Sequence, residues 1–252
     1  MMDLSPAPGS APIGRMVRAQ ASLETRMLLR NGEQLLLTVI IPTVLLVLFA
    51  KVDVVELGTG SRIDFLAPGI LALAVMSTAF TGQAIATGFE RRYGVLKRLA
   101  VSPLPRWGLL VGKTACVLVV ELAQVALLAG VAFALGWSAH GDAAVVLLLL
   151  VVGTGAFSGL GLLMAGTLRA EATLAAANLV YLLLLVGGGV IIPLAKFGAA
   201  EHVLRYTPTA ALSGGLRDVL TGMTTVPWTD LGVLAGWAVL SIAAAARFFR
   251  WE

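Results

Sequence analysis

Charge is scarce in this sequence. Of 252 residues only 13% are Asp, Glu, Lys or Arg, while 58% are apolar, and the mean hydropathy is +0.93. A water-soluble domain of this size carries about twice that share of charge, so a soluble globular class is excluded and lipid is the expected solvent. Cysteine is almost absent: Cys116 stands alone, which rules out an internal disulfide and leaves the redox compartment unread. Histidine is nearly as rare, with only His140 and His202. No HExxH and no Cys/His cluster occurs, so metal chemistry has no visible ligands. A net charge of +4 on so apolar a chain suits anionic lipid headgroups and not nucleic acid. Residues 1–12 are Pro/Ala/Ser-rich with no apolar h-region behind them. They are expected to form a disordered tail and not a signal peptide. No repeat of fixed period is evident.

Catalytic motifs are missing as well. GLLVGKT (Gly108–Thr114) has three residues between its glycines, where a phosphate loop needs four, and it opens an apolar run instead of following a strand. The expectation there is a small-residue helix entry with a snorkelling Lys113. Ala211–Gly215 approximates a nucleophile elbow, but without strand-turn-helix context, and both histidines fall in loops. The chain is therefore expected to be no enzyme, with no catalytic residue, no metal and no cofactor of its own.

What the sequence does have is long apolar runs. Six are read as membrane spans, at 34–50, 65–87, 107–135, 143–168, 172–192 and 231–248. The first is near the short limit of about 17 residues for crossing. Ahead of them, residues 13–31 set Arg15, Arg18, Arg26 and Arg30 opposite Ile13, Met16, Val17, Leu23 and Met27, the pattern of a helix lying in the membrane interface. The fold class is thus all-α, a polytopic membrane protein in a single transmembrane domain over 1–252. Segments on one side carry thirteen Lys/Arg and those on the other five. This bias places the loops around 88–113 and 169–171 and both termini in the cytoplasm. The stretch 194–230 is too long for a simple loop and too polar for a span. Helical spacing predicts a helix over 208–220, in short elements dipping back into the outer leaflet.

The most distinctive stretch is Gly88–Lys113. It holds six basic residues against one acid, Glu90. Tyr93, Leu96, Leu99 and Ala100 recur at helical spacing, with Arg91, Lys97 and Arg98 off that face. Ser102-Pro103 and Pro105 then stop the helix. A short amphipathic helix over 90–100, held between two spans, is a handle for a soluble partner.

Polar residues inside the spans are the other candidates. Glu121 lies about 12 Å along the helix from Lys113. A charge at that depth costs at least about 2.5 kcal/mol, so it should face the bundle or a cavity. Gln124 follows three residues on and is expected on the same face. Glu121 and Gln124 either line a translocation route or brace the third span. Asn178 and Tyr181 are likewise three apart, and Gln83 is expected to face them. Gly155 and Gly159 form a GxxxG that permits close approach, within one subunit or between two. Gly187, Gly188, Gly189 and Pro193 suggest a broken end to the fifth span, an outer gate.

Three stretches carry a resemblance: ERRYGVLKRLAVSPLPR (90–106), GGGVIIP (187–193) and YTPTAALSGGLRDVLTG (206–222). With the six-span plan, the chain resembles the membrane subunit of type-2 ATP-binding-cassette exporters, similar to bacterial drug-export permeases of the daunorubicin-resistance type. The resemblance implies that residues 13–31 are an interface helix. It implies that 90–100 is a coupling helix docking on a separate ATPase subunit, through Glu90, Arg91, Tyr93, Gly94, Leu96, Lys97 and Arg98. It implies a second permease copy, identical or homologous, a bacterial plasma-membrane location, and ATP with Mg2+ held by the partner. The expected cargo is a small hydrophobic or amphipathic compound, a drug or lipid-like molecule. Two other readings stand beside it: a proton-coupled secondary exporter using Glu121, and a non-transporting assembly subunit.

Overall fold

The computed structural model describes residues 9–52 and 61–250. Most of the tail expected over 1–12, and most of the polar loop after the first apolar run, lie outside the described residues. Among those residues the regular structure is entirely helical. Helix α1 (Ile13–Arg30) precedes α2 (Gly32–Lys51). A continuous 31-residue helix follows, made of α3 (Arg62–Val75), a π-helical segment (Met76–Gly82) and α4 (Gln83–Arg92). After a break come α5 (Val95–Ala100), α6 (Arg106–Ala134), α7 (Ala143–Thr167) and α8 (Ala170–Gly187). A 3-10 turn (Leu194–Ala200), α9 (Glu201–Leu204), α10 (Pro208–Leu220) and α11 (Trp228–Phe248) complete the chain.

Five helices among the described residues are long and apolar enough to cross a membrane: 62–92, 107–134, 143–167, 170–187 and 228–248. The chain is a multi-pass membrane protein. The apolar part of α2, Thr38–Lys51, is shorter than a full crossing. The 62–92 helix is central: 83% of its apolar stretch is buried, against 22% for α8 and for α11. Small residues make this possible. Ala67, Gly69, Ala72, Ala74, Ala79 and Ala84 are buried along it and let neighbouring backbones approach. The outward faces of α8 and α11 carry Leu179, Leu182, Leu183, Val239 and Leu240, as lipid requires.

The GxxxG of α7 is spent within the chain. Gly155 faces Ala238 and Ile242 of α11, and Gly159 sits on Ser241 and Ile242. Ser241 Oγ donates to the Ala156 carbonyl at 3.1 Å across the same crossing. Gly161, on another side of α7, lies against the Ala79 and Phe80 carbonyls of the π segment.

Several expected boundaries change. The helix that holds the second expected span, 65–87, runs from Arg62 to Arg92. The fifth ends at Gly187, five residues early, because Gly187-Gly188-Gly189 favours leaving the helix and Gly189 turns at φ +65°. The helix expected over 90–100 is two pieces. Its first turn belongs to α4, and Gly94 at φ +73° breaks the path before α5. That is the helix-ending use of a left-handed glycine. The 208–220 helix forms as its spacing predicts. Thr207 caps it by accepting from the Ala210 N–H at 3.3 Å, with Pro208 in the first turn.

Candidate functional site

One end of the bundle gathers the basic residues. Here the residues expected to dock a partner are divided by the Gly94 break. On the last turn of α4 they face inward or sideways. Glu90 turns into the bundle, Arg91 donates to the Leu168 carbonyl, and Arg92 pairs with Glu171 at the start of α8. Beyond the break, Leu96 is fully buried, in a small apolar cluster with Leu104, Leu109, Leu110, Leu162, Ala245 and Phe249. That cluster seats α5 on α6, α7 and the end of α11. Tyr93, expected on the same face as Leu96, is instead 69% exposed. Val95, Lys97, Arg98 and Val101 are exposed with it. The outward surface of this element is therefore Tyr93, Val95, Lys97, Arg98 and Val101, while Glu90, Arg91 and Leu96 hold it in place.

Lys113 does not snorkel. It is 4% exposed, and its Nζ lies 2.8 Å from Glu24 Oε1 and 2.6 Å from Glu90 Oε2. Gln20 also donates to Glu24 Oε1 at 2.8 Å. One ammonium thus bridges α1, α4 and α6. Snorkelling assumes that water is the nearest good solvent for the charge. Here two carboxylates are nearer, and buried charges persist where they are paired. Gly112 lets α1 approach this face of α6, its missing side chain facing Gln20.

The mid-span polar residues do not converge on one route. Glu121 is 2% exposed and its Oε2 accepts a hydrogen bond from Thr154 of α7. Gln124, also 2% exposed, turns elsewhere. Its Oε1 accepts from Thr78 of the π segment at 3.1 Å, and its Nε2 donates to the Thr38 carbonyl of α2 at 2.7 Å. The two residues brace α6 against different neighbours. Gln83 does not meet Asn178 or Tyr181. It points into a cavity near Lys113, whereas Asn178 is exposed and donates to its own Leu174 carbonyl at 3.0 Å. Tyr181 is half-buried against the main core. Bracing leads to a prediction. Glu121→Gln retains an acceptor for Thr154 and is expected to leave thermal stability near wild type. Glu121→Ala loses it and should cost about 1–3 kcal/mol in an unfolding titration.

At the far end, the glycines expected to gate are pinned. Ser213 Oγ donates to the Gly188 carbonyl at 2.7 Å. Arg217 of α10 donates to the Gly189 carbonyl at 3.0 Å and to the Phe65 carbonyl at 3.3 Å, with its guanidinium 3.8 Å from the Phe65 ring centre. Burial pushes the Arg217 guanidinium down to about 10, which leaves it charged at neutral pH. Burial also raises the carboxyl of Asp218, partly offset by Arg217 beside it. Pro193 starts the 3-10 turn. Arg217 thus ties the end of α8 to the start of the central helix.

A protein-family model described as "ABC-2 family transporter protein" matches residues 58–247. That is three quarters of the chain, from the approach to α3 almost to the end of α11. The chain belongs to the ABC-2 transporter family. A search of curated proteins finds no match. The family match gives the molecule its general role, that of the membrane-embedded permease of an ABC transporter, a class that works with an ABC ATPase. In this ABC-2 chain the matched region holds Glu90 and Lys113 but not Glu24, so the ion cluster joins the family core to the α1 helix ahead of it.

Sequence reading missed several of this ABC-2 chain's contacts. Thr78, Thr154, Ser213 and Arg217 each make a bond between helices far apart in the chain. A hydroxyl in an apolar run is a weak signal, because it can also bond its own i−4 carbonyl. Thr154 does both. Arg217 had a stronger signal, as a lone cation within an otherwise apolar helix face.

Proposed function

We propose that this chain is the permease half of an ATP-driven exporter in a bacterial plasma membrane. Two copies, or one copy and a homologue, pair around the cargo route. A separate ATPase dimer binds ATP and Mg2+ and performs the hydrolysis; this chain is not an enzyme. Counting α2, about 30 Å long at 1.5 Å per residue, as a sixth span puts both termini on the same side. The basic bias puts that side in the cytoplasm. The cargo is a hydrophobic or amphipathic small molecule, in keeping with the apolar spans.

The observation that carries this reading is the seating of α5. Leu96 anchors it in the bundle, while Tyr93, Lys97 and Arg98 are left on the surface. It is joined to α4 by the two-residue Tyr93-Gly94 turn on one side and by a five-residue Pro-containing link to α6 on the other. A force applied to that surface reaches the central helix through α4 and Glu90, and reaches α1 and α6 through Lys113. Closing of the ATPase dimer would tilt these helices together, and the difference in cargo affinity between the two states sets the direction.

The test is co-purification. Tagged permease is expected to bring down an ABC ATPase, identified by mass spectrometry. Tyr93→Ala combined with Lys97→Glu and Arg98→Glu should reduce recovery at least tenfold, with the fold intact because none of the three is buried. An ATPase that stays bound to the triple variant would refute the docking surface. Export from vesicles that proceeds without ATP would refute the ATP-driven reading.

A further inference from the structure

Beside the ion cluster lies a cavity of about 60 Å³ among α1, α2, α4 and α6, with the π segment above it. Gln83, Thr87 and Glu90 line one stripe of it at i, i+4 and i+7 on α4. Gln83 is only 6% exposed, yet neither its amide oxygen nor its amide nitrogen has a hydrogen-bond partner, and the Thr87 hydroxyl, fully buried, has none either. Buried polar atoms left open at the wall of a polar cavity call for an occupant. Among the described residues the charged groups facing it are Glu24, Glu90 and Lys113. Arg91, next in the chain, is turned away to the Leu168 carbonyl. Two carboxylates and one ammonium leave a formal charge of −1. In a poorly solvated site that charge favours a cation.

Beside the cavity, sharing part of its wall, lies a wider groove of about 320 Å³ between α1 and α4. Both are bounded by Glu24, Leu28, Ala86 and Glu90. The groove's remaining wall is largely apolar and includes Met27, Phe89, Tyr93 and Val95. Phe89 and Tyr93 stack there with ring centres 6.2 Å apart, and aromatic faces attract cations. The inner chamber has room for an ammonium head and a water or two. The outer groove is at the lower end of the size range for small-molecule pockets.

The geometry points to a binding site for an amphipathic primary amine, its ammonium beside Glu90 and the Gln83 amide oxygen and its apolar body in the Met27–Tyr93 groove. This deepens the export reading and rests on it for the step after binding, because it names the chemistry of the cargo. Lys113 is a positioning residue in this site: it fixes both carboxylates and prevents their repulsion. The Gln83 amide and the Thr87 hydroxyl complete the head's hydrogen bonds.

The test uses the full chain in lipid nanodiscs, without any ATPase, so its outcome is separate from that of the co-purification. Radiolabelled octylamine is the probe, with octanol and octanoate as competitors. The expected result is saturable binding, one site per chain, with octanol competing at least tenfold more weakly than unlabelled octylamine and octanoate not at all. Gln83→Leu fills the same volume and removes no existing bond, so it should fold with an unchanged Tm and bind octylamine at least tenfold more weakly. Equal competition by octanol overturns the proposal, as does a Gln83→Leu variant of wild-type affinity. Displacement by equimolar sodium would also overturn it, by assigning the site to an inorganic cation.

Discussion

Lys113→Met is expected to be among the most damaging single substitutions in this permease. It leaves Glu24 and Glu90 facing each other without the ammonium that holds both. Removing one member of a buried ion pair typically costs about 3–5 kcal/mol. The two carboxylates retain 16% and 20% exposure, so the cost here should fall near 3 kcal/mol. It should be seen as a lower unfolding midpoint in detergent and as loss of α1 from its seat on α6, read by faster proteolysis near Arg26. The diagnostic result is reversal. Adding Glu90→Gln to Lys113→Met removes one orphaned charge and should recover part of the midpoint, and adding Glu24→Gln should recover more. If the single variant unfolds like wild type, the bridge carries no stability. If the added substitutions only make matters worse, the cost has another origin.

The second large effect is expected at the crossing of α7 and α11. A methyl group added at Gly159 would lie 2.8 Å from the Ile242 amide nitrogen and from Ser241 Cβ. The backbone there cannot give way without parting the two helices. Gly159→Ala should cost about 1–3 kcal/mol through overpacking, and Gly159→Val more. The control is one turn away. At Gly155 the nearest atom to an added methyl is Ala238 Cβ at 3.7 Å, an ordinary contact, so Gly155→Ala should be close to neutral. Thermal unfolding of the three variants checks the order. Wild-type unfolding by Gly159→Ala together with a loss of self-association would move this motif from within the chain to a contact between copies.

Much of the helical plan was legible because it follows from hydropathy and punctuation. The ends of α6, α7 and α10 fall within a residue or so of the expectation. Pro105, Asp142 and Thr207 stand at their starts, and such residues act locally. The ion cluster was not legible in the same way. Lys113 has a local rule, snorkelling, and the rule fails because its partners come from residues 24 and 90. No spacing within a helix reveals that meeting. Gly94 was readable but overlooked: a glycine between Tyr93 and Leu96 interrupts the face that those residues share with Leu99 on paper. The displacement of Tyr93 from Leu96 follows from that break. Gln83 was singled out as a polar residue within a span but given the wrong neighbours, Asn178 and Tyr181, since the direction of a side chain carries along a helix only as long as the helix stays α.

That last condition fails between Met76 and Gly82. One additional residue in the wider turn sets back the angular phase of everything beyond it by about 100°. Two α-helical halves of one rod are thereby clocked differently. The upper half packs chiefly against α10, and the lower half turns Gln83, Thr87 and Glu90 to the cavity shared with α1 and α6. A substitution scan of 62–92 should therefore show two runs of 3.6-residue periodicity with a slip between them. A single unbroken wave of tolerance would mean that the wider winding is absent in the membrane.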